Sequence, residues 1–127
     1  MKAKTNLTML CDFYELTMAN GYFQTGLQDR ICYFDVFYRS VPDKGGFAIA
    51  AGLAQVVEYI QELCFDEEDT DYLRTKGCFS EEFLAFLRDF KFTGDIWAVP
   101  EGTPVFPNEP ILTVRAPAIQ AQFVETF

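Results

Sequence analysis

Histidine is absent from this chain of 127 residues, and positive charge is scarce: 10 Lys and Arg stand against 19 Asp and Glu, a net charge of −9. The four cysteines, Cys11, Cys32, Cys64 and Cys78, show no C-x-x-C spacing. Without histidine to complete a ligand set, the usual zinc patterns are excluded. The acidic balance argues against nucleic acid, whose binders neutralise phosphates with basic patches. Long apolar runs are missing as well. Lys2 and Lys4 are followed by none, so neither export nor membrane spanning is expected. With no signal peptide, the cysteines read as free thiols in a reducing compartment, and the protein as soluble and cytoplasmic. No Lys follows Lys91. That excludes a biotinyl- or lipoyl-type carrier domain, in which a lysine at a hairpin tip is modified. Internal repeats and low-complexity linkers are also lacking.

Aromatic residues, by contrast, are abundant: fourteen Phe, six Tyr and one Trp. A chain of this size fits one domain and buries roughly two-thirds of its extended surface on folding. Rings in such number either pack a dense core or serve an interface. An interface is the reading preferred here.

Along the chain, Asp12 is placed as the N-cap of a first helix, with Glu15 completing a capping-box-like pair. Phe13, Leu16, Asn20 and Phe23 recur at helical spacing, Tyr14, Met18 and Tyr22 fall on another flank, and Gly26 is the stop. Residues 31–41 alternate as a strand. One face carries Cys32, Phe34, Val36 and Tyr38, and the other Tyr33, Asp35, Phe37 and Arg39. A turn at 42–46 leads to a short apolar strand at 47–51, and after Gly52 the run Leu53, Val56, Val57, Ile60, Leu63 predicts an amphipathic helix. Two short helices then open on Asp66-Glu-Glu-Asp69 and Ser80-Glu-Glu82. Acids in a first turn suit the helix dipole, so the 66–71 cluster reads as helix-start chemistry rather than a metal site. From Gly94 the period changes to two, with proline-punctuated strands at 95–99, 105–106 and 111–115. Ile119, Phe123 and Phe127 then begin an amphipathic helix with no stop signal. The chain is therefore organised as one unit, with helices and strands over 1–93, a β-rich segment over 94–116 and a cut-off helix over 117–127, and is expected to be a fragment of something larger.

The centre of the first helix, Asp12-x-Tyr14-Glu15-Leu16-Thr17-Met18, resembles the opening motif of the nicotinate phosphoribosyltransferases. So do, in order, Phe34-Asp-Val-Phe-Tyr-Arg39, Gly45-Gly-Phe-Ala-Ile-Ala-Ala-Gly-Leu53, Val99-Pro-Glu-Gly-Thr-Pro-Val-Phe-Pro-Asn-Glu-Pro110 and Gln122-Phe-Val-Glu-Thr-Phe127. Each block alone is weak; in this order and spacing they make a specific match over nearly the whole chain. Two departures stand in the opening motif, Cys11 where the family usually has Thr and Phe13 where it often has Leu. Neither removes a polar group, but a thiol at that place implies sensitivity to alkylation.

The resemblance implies an α+β fold: the α/β-hammerhead-like N-terminal domain of a type II phosphoribosyltransferase, with mixed short strands, several helices and the phosphate-binding barrel absent. It implies an enzyme forming nicotinate mononucleotide from nicotinate and phosphoribosyl pyrophosphate in NAD biosynthesis, using Mg2+ and ATP, as a homodimer with sites shared between subunits. Tyr14 matches a residue that stacks on the pyridine ring, Asp12 the acid beside it, and Arg39 an arginine that contacts phosphate. Plain structural alternatives exist for each: a Tyr packed at a boundary, a helix cap, and an ion pair between Arg39 and Asp35. Lys44 and Gly52, the latter offering backbone N–H groups at a helix start, are weaker anion contacts. No His, P-loop or acidic pair suited to phosphoryl transfer is present. The chain by itself is thus expected to be catalytically silent. A nicotinamide- or quinolinate-using relative is the alternative among enzymes, and a non-catalytic interaction domain the alternative outside them.

Overall fold

The computed structural model describes residues 6–127 (for Asp43, the backbone alone); Lys2 and Lys4 lie outside them. The elements run α1 (Phe13–Gln24), β1 (Ile31–Val36), a 3-10 turn (Pro42–Lys44), β2 (Ala48–Ile49), α2 (Leu53–Glu62), α3 (Glu67–Arg74), α4 (Glu81–Arg88), β3 (Asp95–Ala98), β4 (Pro104–Val105), β5 (Leu112–Pro117) and α5 (Ala118–Phe123). β1 and β3 flank β5 in an antiparallel sheet, and β2 pairs with β4 in a separate two-stranded one. The fold is mixed α and β, and the described strands close no barrel.

β5 alternates strictly between buried and half-buried residues, the period-two signature of a strand with one covered face. Leu112, Val114 and Ala116 lie on that face and form a small core with Ala121, against which Cys32, Phe34, Val56 and Ile96 pack. The register puts Tyr33, Arg115 and Asp95 side by side on the other face, and Asp35, Thr113 and Trp97 in the next row. There Tyr33 is 64% exposed and Trp97 55%. Gly94 is required at the start of β3, because a Cβ there would lie 2.6 Å from both the Ala116 Cβ and the Arg115 carbonyl oxygen.

The main core lies among the helices, where Leu16 and Ala19 of α1 meet Tyr59 and Ile60 of α2, the apolar side of α4, and Ile119 and Phe123 of α5. Both short acidic helices start as their sequences predict. Asp66 and Asp69 exchange backbone N–H bonds at 2.9 and 3.1 Å in a full capping box. The Ser80 hydroxyl accepts from the Phe83 N–H at 3.2 Å. Gly26, at φ 71°, ends α1 as expected.

Four sequence expectations are corrected. Asp12 does occupy the N-cap of α1 with extended backbone, but its side chain makes no capping bond, because Glu15 is turned into the core and no capping box forms. The covered face of α1 is Glu15, Leu16, Ala19 and Asn20, with Phe13 left 50% exposed; the helix is rolled toward α5. The strand expected over 31–41 ends at Val36. Its partner β5 has no register beyond Leu112, where Pro110 offers no N–H to extend the ladder. Finally, α5 ends at Phe123 instead of running on to Phe127, and the Phe127 ring stacks flat on Tyr59 at 4.0 Å.

Phe83 is fully buried and touches the rings of Phe23, Phe79 and Phe86 at 5.7, 5.7 and 6.3 Å. Truncating it opens a cavity between α1 and α4 that rigid neighbours cannot refill. Phe83→Ala is expected to lower stability by about 3–5 kcal/mol in urea unfolding, and a loss under about 1 kcal/mol would show that this junction is not close-packed.

Candidate functional site

The first turn of α1 sends successive side chains in different directions, since helical residues are spaced about 100° apart. Tyr14 points outward, 44% exposed, while Glu15 is fully buried. Both are tied to the end of the chain. The Tyr14 hydroxyl donates to Glu125 Oε1 at 2.5 Å, and the Thr126 hydroxyl donates to Glu15 Oε1. The Asp12 N–H donates to the same Thr126 oxygen at 3.4 Å. Residues 124–127 thus form a strap across the start of α1. Buried Gln122 braces the strap by donating to Glu125 Oε2 at 2.6 Å.

Arg39 arrives from the other direction. Past the end of β1 the backbone is held by the Asn108 N–H donating to the Tyr38 carbonyl at 2.8 Å, and by the Tyr38 hydroxyl donating to the Val105 carbonyl at 2.6 Å. The ion pair with Asp35 is not formed. Asp35 instead accepts from the Thr113 hydroxyl at 2.6 Å across the sheet, and Arg39 has no hydrogen bond or ion pair among the described residues. An exposed guanidinium without a carboxylate partner is free to grip an anion in a bidentate way. Arg39 lines a hollow of about 550 Å³ with Asp35, Ser40 and Glu125. Glu125 is therefore the link between the hollow that Arg39 faces and the ring of Tyr14. A second hollow, of about 600 Å³ and mostly apolar walls, lies beside α2 and also borders Glu125, but neither Tyr14 nor Arg39 reaches it. Of the three residues singled out from sequence, Tyr14 bonds Glu125 and Arg39 lines a hollow that Glu125 also borders, whereas the Asp12 side chain takes no part and only its backbone joins the strap.

The weaker anion candidate at Gly52 is overturned. Glu101 Oε1 already accepts from the Gly52 and Ala54 N–H groups, both at 3.1 Å, so an internal carboxylate fills the N-terminus of α2. Glu125 and Thr126 were part of a matched block without any role assigned to them. Nothing in their own spacing marks them, because their partners lie 111 residues away in sequence.

Charge around this strap is mostly negative, with consistent effects. The hydrogen bond to Glu125 pushes the Tyr14 hydroxyl up to about 12, since the carboxylate stabilises the protonated phenol. Burial pushes the Cys11 thiol up to about 11, with Glu15 and Asp12 adding repulsion. A thiol held protonated is a poor nucleophile, so the alkylation sensitivity expected from its position is not supported by its surroundings. Burial also raises the Glu15 carboxyl above its ordinary range, against the opposing bond from Thr126, and its Oε2 has no hydrogen-bond partner among the described residues. A group raised on folding contributes stability that is complete below the ordinary carboxylate range and is lost as pH rises through the raised value. Glu15→Gln removes that loss. The melting temperature of the variant relative to the wild type is expected to rise by a few degrees between about pH 4 and about pH 8. A difference that stays flat with pH would show that the Glu15 carboxyl titrates alike in the folded and unfolded chain.

A family model described as nicotinate phosphoribosyltransferase (NAPRTase) N-terminal domain matches residues 9–127. A nicotinate phosphoribosyltransferase of Mycobacterium tuberculosis is 48% identical over 119 residues, which is 94% of this chain and 26% of that protein. The enzyme of the same name from Bacillus subtilis is 36% identical over 121 residues, covering 95% and 25% respectively. Among solved structures, human nicotinic acid phosphoribosyltransferase superposes with a TM-score of 0.83 at 32% identity, over 91% of this chain and 24% of that one. A nicotinate-nucleotide pyrophosphorylase from Pyrococcus furiosus, at 15% identity and a TM-score of 0.68, shares the fold over 99% of this chain and 26% of its own. The chain spans about a quarter of the length of the relatives it matches. By the family model and these identities together, it belongs to the nicotinate phosphoribosyltransferase family, as its N-terminal domain.

Proposed function

We propose that this chain is the N-terminal part of an enzyme that joins nicotinate to phosphoribosyl pyrophosphate, releasing pyrophosphate and forming nicotinate mononucleotide. The observation that carries the reading is an exposed ring at Tyr14, tethered to Glu125, together with a guanidinium at Arg39 that has no partner among the described residues and lines a hollow Glu125 also borders. A flat heteroaromatic laid on the Tyr14 face buries apolar area at small entropic cost. Arg39 supplies planar hydrogen bonding to a phosphate, which an acidic domain needs if it is to hold anions at all. In the reaction the pyridine nitrogen attacks the ribose C1 carbon as pyrophosphate departs. This chain contributes binding and orientation on the pyridine side and one cation on the phosphate side.

The relatives' length supports a larger whole, in which an α/β-hammerhead-like domain packs against a phosphate-binding barrel and sites are shared across a homodimer. Among the described residues, no group of three or more Cys, Asp or Glu is arranged to hold a metal ion, and the sequence has no histidine to carry a phosphoryl group. None of the residues identified here is assigned to the Mg2+ and ATP that the family implies. No described helix is long and apolar enough to cross a membrane, in keeping with a cytoplasmic enzyme. Nicotinate suits the site better than quinolinate, whose second carboxylate calls for more positive charge than a domain of net charge −9 offers.

The test is kinetic, in the full-length protein. Tyr14→Ala is expected to raise KM for nicotinate about tenfold, the equivalent of about 1.4 kcal/mol of lost stacking, with the fold intact by circular dichroism. Arg39→Ala is expected to raise KM for phosphoribosyl pyrophosphate more than KM for nicotinate. Unchanged nicotinate kinetics in the first variant would remove the stacking role, and equal small losses in the second would remove the phosphate role.

A further inference from the structure

We propose that Glu125 is a positioning residue that holds the Tyr14 ring in place for its ligand, with Gln122 as the anchor of Glu125. The inference rests on the stacking role proposed above for Tyr14. It adds a residue with no assigned role and a mechanical account of how that ring is presented.

Tyr14 sits in the first turn of α1, exposed on the side away from the core. An exposed tyrosine ordinarily samples several χ1 rotamers, and each would carry the ring to a different place. Here the far end of the side chain is fixed as well as the near end, by the 2.5 Å bond from the hydroxyl to Glu125 Oε1. Charge-assisted O–H···O⁻ bonds of that length are among the stronger ones in proteins. The hydroxyl lies on the axis of χ2 rotation. The bond therefore pins the position of the ring while leaving its plane free to settle against whatever lies on its face. Such a tether suits a flat ligand, because the ordering cost of the side chain is met before the ligand arrives.

Glu125 is itself exposed and would be a loose tether on its own. Its second oxygen accepts from Gln122 Nε2 at 2.6 Å, and Gln122 is 2% exposed, one turn earlier near the end of α5. Next along the strap, Thr126 donates to the buried Glu15 and accepts from the Asp12 N–H. The carboxylate is thus held from the core side and from the strap side, and the ring is held by the carboxylate.

The experiment uses the full-length protein, with nicotinate kinetics and the titration of Tyr14 followed by NMR of ¹³Cζ-labelled tyrosine. Glu125→Ala is expected to raise KM for nicotinate about fivefold, with kcat within about twofold. The Tyr14 titration should fall from about 12 toward the ordinary tyrosine range in the same variant. Glu125→Gln, whose amide oxygen still accepts from the phenol once the Gln122 amide turns over, is expected to restore most of the loss. Tyr14→Phe should match Glu125→Ala, and the double variant should be no worse than either single, because both remove one bond. Losses that multiply in the double variant would overturn the proposal. An unmoved KM in Glu125→Ala, beside a raised KM in Tyr14→Ala, would leave stacking standing and remove positioning. An unmoved KM in Tyr14→Ala would remove both.

Discussion

Pro117 joins the central strand directly to the last helix, and that join carries the strap of residues 124–127 back across the start of α1. β5 is the middle strand of its sheet, and α5 begins at the next residue with no connecting loop. The φ restriction of proline suits such a junction, since it can end a strand and precede a helix without needing an N–H partner. With the direction of α5 set, Ile119 and Phe123 fall into the helical core beside Leu16, Phe65 and Phe90. Everything near Tyr14 follows from this. Gln122, Glu125 and Thr126 reach α1 only because α5 leaves the sheet at that angle.

The arrangement has an electrostatic cost at one end and an opening at the other. Around the first turn of α1, burial raises the proton affinities of Cys11 and Glu15 and the bond to Glu125 raises that of Tyr14, with the neighbouring carboxylates adding repulsion. Two arginines are engaged: Arg74 spans Asp71 and Glu81 between α3 and α4, and Arg115 bonds Asp95 and the Tyr33 hydroxyl on the sheet. These are exposed pairs that contribute little to stability. Their significance here is contrast, since Arg39 stands beside a hollow with no such partner.

Much of the local structure was legible in sequence because the signals act over a few residues. Asp66 with Asp69 and Ser80 with Phe83 are capping contacts three residues apart, and both helices start where those residues predict. Gly26 stops α1 for an equally local reason. The expectations that failed were those in which a distant partner outweighed a local preference. Glu15 reads as half of a capping box, yet its carboxyl is turned inward to Thr126. Asp35 and Arg39 share one face of a continuous strand on paper. In the fold, Thr113 takes Asp35, and the ladder stops before Arg39 for want of an N–H at Pro110. Gly52 was open to an anion until Glu101, distant in sequence, supplied one.

The sequence by itself determined the family, the helix starts, the acidic character and the identity of Tyr14 and Arg39 as the side chains to watch. Those properties reside in residue type and short spacing, which survive without any knowledge of where the chain turns. Only the tertiary structure decided that Tyr14 is tethered to Glu125 and that Arg39 has no partner among the described residues. Each depends on contacts across tens to more than a hundred residues, which side-chain chemistry permits and chain direction selects.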